Sequence, residues 1–407
     1  MYKTKCTSCG RQDLKSVVNL GQSPLANNLL TSNLETSEMF PLEMMYCGNC
    51  NNCQLSYNVP SEKMFSHYLY VSSTAKAFRE HFETAAKEYV DRFNLGEDSF
   101  VIDIGSNDGI ALIPLQNHGV RVLGVEPAAN IVKIAQERGV DTIQRYFNTE
   151  TSTEILNKYG QADVVTASNV FAHASNLDEI ATAVFALLKA EGTFIVEVQY
   201  LLDTIKDLTF DNIYHEHVNY WSVTSLVNFF NNLQLSVVDV EHVNTHGGSI
   251  RVYVQKSNQN IKDSVKYFLD REKEFGLTQY ETYVAFAQRV ENAKLNVRKN
   301  IKLLKQKGLS LVGYGAPAKA TTSLNYFGVT FEDIDYIVED NKLKHNTFIP
   351  GVNIPIYSKD ELMNRQPDVI IVMAWNFFED IKNNNKDLVD KGIKFISIKE
   401  LQNEYIL

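Results

Sequence analysis

Apolar positions along the chain repeat in two alternating rhythms. Residues 74–94 (TAKAFREHFETAAKEYVDRFN) carry apolar side chains at helical spacing. The next segment, SFVIDIGSNDGIALIPL, reads as a buried strand, a glycine turn and a helix start. The alternation continues with a strand at Val122–Val125, a helix at Asn130–Glu137, a strand at Val164–Ala167, a helix at Leu177–Leu188 and a strand at Thr193–Val198. Strands alternating with helices predict a doubly wound α/β domain. Residues 260–307 form a long helical stretch rich in Lys, Glu and Gln, the best place for a boundary. A second α/β unit starts at LSLVGYGAPAKATTSLNYFG and continues through strands at Ile334–Val338, Val369–Ala374 and Lys394–Ile398. SPLANNLL and residues 59–65 are turn-rich, and no internal repeat aligns. Three modules are expected: 1–70, 71–260 and 261–407.

Composition narrows the class. At about 150 residues per domain, 407 residues make two to three domains. Hydrophobic residues at 44%, charged residues at 22%, 20 Gly and 9 Pro exclude a low-complexity body. Thirty-nine basic against 49 acidic residues leave a net charge of −10, a field that repels nucleic acid and anionic membrane. A local basic pocket for a phosphorylated small molecule is still compatible with it. No apolar run approaches the roughly 18 residues of a membrane span, and the start MYKTKCTSCG lacks the apolar core of a signal peptide. A cytoplasmic location is therefore expected.

All five cysteines fall within the first 53 residues: Cys6, Cys9, Cys47, Cys50 and Cys53. A disulfide scaffold would spread them through a small secreted chain, whereas paired CxxC knuckles supply thiolates for a tetrahedral zinc. A catalytic zinc keeps an open position and usually takes His or carboxylate ligands, so four sulfurs argue for a structural ion. The alternative is a set of free or redox-active thiols.

The first glycine turn is Asp103-Ile104-Gly105-Ser106-Asn107-Asp108-Gly109. A glycine just after a buried strand lets a ligand approach the backbone, and the following helix presents free N–H groups. It is neither GxGxxG nor a Gly-Lys-Ser/Thr phosphate loop. About twenty residues on, the second strand ends in Gly124-Val125-Glu126-Pro127, where an acidic side chain accepts from two ribose hydroxyls. The pair suits a nucleoside ligand without a pyrophosphate, such as S-adenosylmethionine, with a nicotinamide cofactor as the alternative.

DIGSNDG and GVEP resemble the first two motifs of class I S-adenosylmethionine-dependent methyltransferases. More narrowly, the whole chain resembles the three-module sugar C-methyltransferases that act on nucleotide-linked 4-keto-deoxy sugars. The resemblance runs in order through CxxCG, SPLAN, PLE with its second CxxC, MFxxYxYxSS, YHEHxxY, HGGSIRVY, GYGAPAK and AWN. It implies a small zinc-binding module, a class I methyltransferase Rossmann-like domain and a second C-terminal Rossmann-like domain for the sugar nucleotide. The family's C-x-x-C-x-x-x-Gln-Leu pattern falls on Cys47, Cys50 and Gln54-Leu55, which makes Cys6, Cys9, Cys47 and Cys50 the implied zinc ligands. Cys53 departs from the family and either competes for the metal or is simply buried. The implied S-adenosylmethionine set is Asp103, Gly105, Asn107, Asp108, Glu126, Pro127, Phe147, Asn169 and Phe171. For Phe171 a plain aromatic plug in a strand-end loop is an equal alternative, and for Phe147 a core role.

The segment Phe210-Asp211-Asn212-Ile213-Tyr214-His215-Glu216-His217 offers residue types suited to general-base chemistry. Carbon methylation beside a ketone needs a base for the α-proton, and histidine titrates near neutral pH. A neighbouring carboxylate can fix its tautomer, and a tyrosine hydroxyl can hydrogen-bond the developing oxyanion. HEH is not HExxH, so a zinc-protease reading fails, while a purely structural histidine cluster remains the bland alternative. The resemblance points to His217 as base, with Glu216 and Tyr214 beside it and Tyr68 as a further active-site tyrosine. Tyr70 is not separable from Tyr68, and His173 is the second choice of base.

In the last module, Gly313-Tyr314-Gly315-Ala316-Pro317-Ala318-Lys319 opens the second strand–turn–helix unit. Helix-on-strand packing explains its glycines, and its helix N-terminus also suits phosphate. The resemblance assigns Tyr314, Gly315, Lys319, Lys344 and Asn376 to the sugar nucleotide. Glu339 stands where the compared motif has aspartate. The glycines of His246–Arg251 allow close substrate approach, and Arg251 reads equally as a structural ion partner. The expected activity is methyl transfer to C3 of a nucleotide-diphosphate-linked 4-keto-deoxy sugar, with O- or N-methyl transfer as the alternative. A nicotinamide oxidoreductase lacks GxGxxG in either turn, and a zinc scaffold would leave DIGSNDG and HEH idle. The motifs for a complete cleft lie within one chain, which is compatible with a monomer and leaves the oligomeric state open.

Overall fold

The computed structural model describes residues 1–60, 63–64, 71–74, 76–245, 247–256, 258 and 260–404. Among them three sheets form. Strand β2 (Met39–Cys47) buries every second side chain, Phe40, Leu42, Met44 and Tyr46, as a strand with one wet face should. It pairs antiparallel with β1 (Leu14–Pro24) and with β3 (Cys53–Leu55). The fourth strand of this sheet comes from far along the chain. β9 (Asn219–Tyr220) pairs antiparallel with β3, setting Cys53 opposite Tyr220 and Gln54 opposite Asn219.

The middle sheet begins with β4 (Phe100–Ile104), buried at all five positions because helices cover both of its faces. β5 (Arg121–Val125) and β6 (Thr142–Ile143) lie to one side of it, and β7 (Ala162–Ser168) and β8 (Leu188–Gln199) to the other, all parallel. Two strands the periodicity did not resolve complete the sheet. β11 (Ser249–Gln255) runs antiparallel to β8, and β10 (Ser236–Val243) antiparallel to β11. The order β10-β11-β8-β7-β4-β5-β6 puts the topological switch point at β4, where ligands of open α/β sheets bind.

The third sheet repeats that logic. β12 (Leu311–Tyr314) lies between β13 (Ile337–Val338) and β16 (Val369–Val372), all parallel, with β15 (Pro355–Tyr357) and β17 (Lys394–Ser397) beyond them. β14 (Thr347–Phe348) closes one edge antiparallel and bridges to Leu30 of the first module. Its switch point falls at the Gly313–Lys319 turn.

The stretch 260–307 is two helices, Asp263–Phe275 and Tyr280–Gln306, separated by left-handed Gly276. The second spans about 40 Å at 1.5 Å per residue. It buries Tyr283, Phe286, Val290, Ala293, Val297, Ile301 and Leu304 along one face. Tyr280 Oη donates to the Ser16 carbonyl of β1, Tyr283 stacks on Tyr46, and Asn300 Nδ2 donates to the Leu401 carbonyl. The helix is thus a packed spine, and one apolar core runs from Val17 through Phe171 and Phe286 to Ile396.

Candidate active site

Two tight knuckles of the first module bring four thiols together. The Sγ atoms of Cys6, Cys9, Cys47 and Cys50 all lie within 4.8 Å of one another, with Cys6–Cys50 at 3.5 Å and Cys9–Cys47 at 3.7 Å. A tetrahedron with Zn–S bonds of about 2.3 Å separates its sulfurs by about 3.8 Å, so the donor set fits zinc with no open position. Hydrogen bonds from Cys50 and Cys6 hold the Cys47 thiol below its usual range. Cys53 lies outside the cluster, fully buried in β3, and burial pushes its thiol up.

The first knuckle is wired to the histidine segment. Thr7, between Cys6 and Cys9, donates its N–H to Gln54 Oε1 at 2.7 Å and its hydroxyl to Asn219 Oδ1 at 2.6 Å. Asn52 Nδ2 donates to the same oxygen at 3.4 Å, and Asn219 Nδ2 donates to the Ala174 carbonyl at 2.8 Å.

At the carboxyl end of β4, Gly105 has φ +65°, and a Cβ there would run into Val170. Glu126 bridges the turn, accepting from the N–H of Asn107 at 3.1 Å and of Ala128 at 2.9 Å. Burial pushes its carboxyl up, against those two hydrogen bonds. Asp103 is pushed up to about 7 by burial, opposed by the Thr166 hydroxyl that donates to it at 2.6 Å. The buried Ser106 hydroxyl has no hydrogen-bond partner among the described residues. A bare cradle, an orphaned hydroxyl and a strand-end carboxylate fit the nucleoside end of S-adenosylmethionine. Asp108 Oδ2 accepts from Arg138 Nη1 at 2.5 Å, while its buried Oδ1 has no hydrogen-bond partner among the described residues. Phe147 is buried after β6, and Asn169 turns the chain at φ +58° after β7. Phe171 is fully buried, stacked between Trp221 and Phe230 with Phe194 and Phe229 at its edges. Those surroundings describe an aromatic plug of the core.

The turn after β7 also carries His173, whose ring meets that of His217 edge-on, centroids 5.0 Å apart. Burial lowers His173 to about 4, so it stays neutral and weakly basic. His217 Nδ1 lies 2.8 Å from the Asn212 carbonyl. A carbonyl only accepts, so Nδ1 bears the proton, and Nε2 is left facing Tyr214 Oη at 2.9 Å. The tautomer is therefore fixed by a backbone carbonyl and not by Glu216, which corrects the expectation from sequence. Glu216 turns to the SPLAN segment, where Asn27 Nδ2 donates to its Oε1 at 2.6 Å. Burial pushes Glu216 up to about 7, with the Asn27 amide opposing. Tyr68, Tyr70 and His246 lie outside the described residues.

In the third module Gly315 takes φ +85° against Ala374. Glu339 accepts from the Ala316 N–H at 2.7 Å, and Lys344 Nζ donates to the Ala316 carbonyl at 2.8 Å, so both brace the turn. Tyr314 donates to Asp340, Lys319 is buried, and Asn376 is exposed beside Trp375. The two glycines before β11 give room to protein side chains: a Cβ on Gly247 would strike Trp375 and one on Gly248 would strike Asp203. Arg251 is a structural ion partner, bound to Glu197 and Glu88.

Residues 6–65 match a family described as a candidate zinc-binding domain, 78–240 a methyltransferase domain, and 244–398 a C-methyltransferase C-terminal domain. The C-methyltransferase NovU of Streptomyces niveus is 34% identical over 396 residues, spanning 96% of this chain and 94% of that protein. The chain belongs to the three-module, S-adenosylmethionine-dependent C-methyltransferases. The mitochondrial ubiquinone biosynthesis O-methyltransferase of Rattus norvegicus is 29% identical over 101 residues, 24% of this chain and 29% of that one. Among solved structures, the magnesium protoporphyrin IX methyltransferase of Synechocystis PCC 6803 is 15% identical, covering 44% of this methyltransferase and 79% of that chain at TM-score 0.34. Among the described residues no helix is long and apolar enough to cross a membrane.

Three outcomes follow from these contacts. Chelating the metal is expected to lower the melting temperature and to expose the amides of Val218–Tyr220 to hydrogen exchange before those of β4. Retained protection there would break the link through Thr7 and Asn219. Phe171→Ala is expected to cost about 3–5 kcal/mol of stability with S-adenosylmethionine affinity nearly unchanged. A weakened affinity in a stable protein, by calorimetry, would make it a cofactor wall. Glu216 holds its proton more tightly folded than unfolded, so its ionisation subtracts stability as pH rises from about 4.5 through about 7. Glu216→Gln keeps the Asn27 hydrogen bond, and its melting temperature relative to wild type should climb across that window. A pH-independent difference would contradict the buried placement.

Proposed function

We propose that this methyltransferase methylates C3 of a nucleotide-diphosphate-linked 4-keto-deoxy sugar through an enolate, with His217 as the base. The observation that carries the reading is the His217 geometry: Nδ1–H is given to the Asn212 carbonyl, leaving the Nε2 lone pair beside a tyrosine hydroxyl. That is the arrangement of a general base with an oxyanion donor next to it. His173 makes the weaker base, because burial depresses it.

Bound S-adenosylmethionine would supply an electrophilic methyl on its sulfonium, held by the Gly105 turn and Glu126. His217 Nε2 takes the proton α to the ketone, and Tyr214 hydrogen-bonds the enolate oxygen, a task for which Tyr68 is the second candidate. The enolate carbon would then take the methyl as the S–CH3 bond breaks and S-adenosylhomocysteine leaves, and His217 later releases its proton to solvent. Glu216, pushed to about 7 and anchored by Asn27, holds a neutral or charged carboxyl near the sugar according to pH. The Gly313–Lys319 turn at the third sheet's switch point, with Lys319 and the N-terminus of the helix Ala318–Phe327, takes the diphosphate.

The test is product analysis with purified methyltransferase, a panel of nucleotide-linked 4-keto-6-deoxy sugars and methyl-labelled S-adenosylmethionine. Label on C3 is expected, with turnover of His217→Asn reduced on the order of 10²–10⁴-fold while cofactor binding is kept. Label on the other carbon flanking the ketone would move the site of attack and leave the base in place. Label on oxygen or nitrogen would make this an O- or N-methyltransferase and reduce His217 to a binding residue.

A further inference from the structure

Trp375 reaches out of the third module, from the turn after β16, into the middle domain. Its indole N–H donates to Asp211 Oδ2 at 2.7 Å. Two ammonium groups lie over the ring, Lys319 Nζ at 4.5 Å and Lys399 Nζ at 4.7 Å from its centroid. Gly247 leaves the ring its place: a Cβ there would stand 2.5 Å from Cη2. The turn it holds, Phe210–Asn212, is fastened to the third module at a second point, where Phe210 packs edge-on against Tyr326 and Phe327 at 5.4 and 5.5 Å. Asp211 is buried, so its carboxylate has no water to fall back on. The next residue is Asn212, whose carbonyl receives His217 Nδ1–H.

We infer that Trp375 and Asp211 are positioning residues through which the third module sets the Asn212 carbonyl, and with it the tautomer of His217. An imidazole has two neutral tautomers, and its neighbours choose between them. With the carbonyl in place, Nδ1 keeps the proton and Nε2 its lone pair. With the turn released, the proton moves to Nε2, which then donates to Tyr214 and has no lone pair for an α-proton. The module that carries the nucleotide thereby prepares the base from a distance. Trp375 adjoins Asn376 and stacks on Lys319, both assigned above to the sugar nucleotide, so filling that pocket bears directly on the latch.

The catalytic consequence rests on the proposed role of His217, whereas the structural one does not, and the experiment separates them. Trp375→Phe keeps an aromatic ring beside the two lysines and removes the donor. Asp211→Asn keeps an acceptor for the indole. In full-length protein with ¹⁵N-labelled histidine, with the His217 signals assigned by their loss in His217→Asn, wild type and Asp211→Asn should both report the Nδ1–H tautomer. Trp375→Phe should report a mixture, with kcat down on the order of tenfold, the KM for S-adenosylmethionine unchanged and rescue approached in Asp211→Asn. Wild-type nitrogen shifts in Trp375→Phe overturn the inference, whatever its activity. Should that variant not fold, Asp211→Ser, too short to accept from the indole, must show the same mixture, and unmixed shifts there overturn it equally. A mixed tautomer with undiminished kcat keeps the latch and removes His217 from the chemistry.

Discussion

Asn219 is the side chain on which the modules converge. Its amide oxygen takes the hydroxyl of Thr7 from inside the metal knuckle and the amide of Asn52, and its amide nitrogen gives to Ala174 in the loop after β7. Its backbone pairs with Gln54 in the first sheet. A buried amide with both ends satisfied is rigid, because each lost partner would leave a dry polar atom. Two residues upstream is His217. The chain that carries the histidine is therefore tied, two residues on, to the module of the cysteines.

That network gives the zinc-binding module a structural part in shaping the middle domain. The first sheet has four strands, the two shortest of three and two residues and the last of these borrowed from the middle domain, and a module of about 60 residues buries too little surface to be more than marginally stable alone. A fourfold sulfur cross-link supplies the missing constraint, and four thiolates leave no position for a reacting group. The same module sends Asn27 to Glu216 and, one residue earlier, the Ala26 carbonyl to the Thr321 hydroxyl of the third module at 3.0 Å. The SPLAN segment thus links Glu216 to the third module.

The periodic parts of this architecture were legible in the sequence. An uninterrupted FVIDI run, the glycine turns and the 3–4 spacing of residues 76–93 are local signals, and each named its element. The resemblance placed the methyltransferase domain and the four ligand cysteines. What could not be read were pairings across long stretches of chain: β3 with β9, Glu216 with Asn27, Asp211 with Trp375. Periodicity reports which face of an element is buried and is silent about its partner. For this reason adjacency in HEH suggested that Glu216 orients His217, when a peptide carbonyl five residues back does so. Likewise Asp108, in the cofactor motif by spacing, is half spent on Arg138, and the glycines before β11 make room for protein side chains.

The central claim is that His217 removes a carbon-bound proton. The most direct measurement omits methyl transfer altogether. The enzyme is incubated in deuterated water with a nucleotide-linked 4-keto-6-deoxy sugar and S-adenosylhomocysteine, and the sugar is followed by NMR. The account predicts that deuterium enters beside the ketone at an enzyme-catalysed rate, and that His217→Asn reduces this to the background of the sugar alone. Exchange at the wild-type rate in that variant would contradict it, and the base would have to be sought elsewhere in the site.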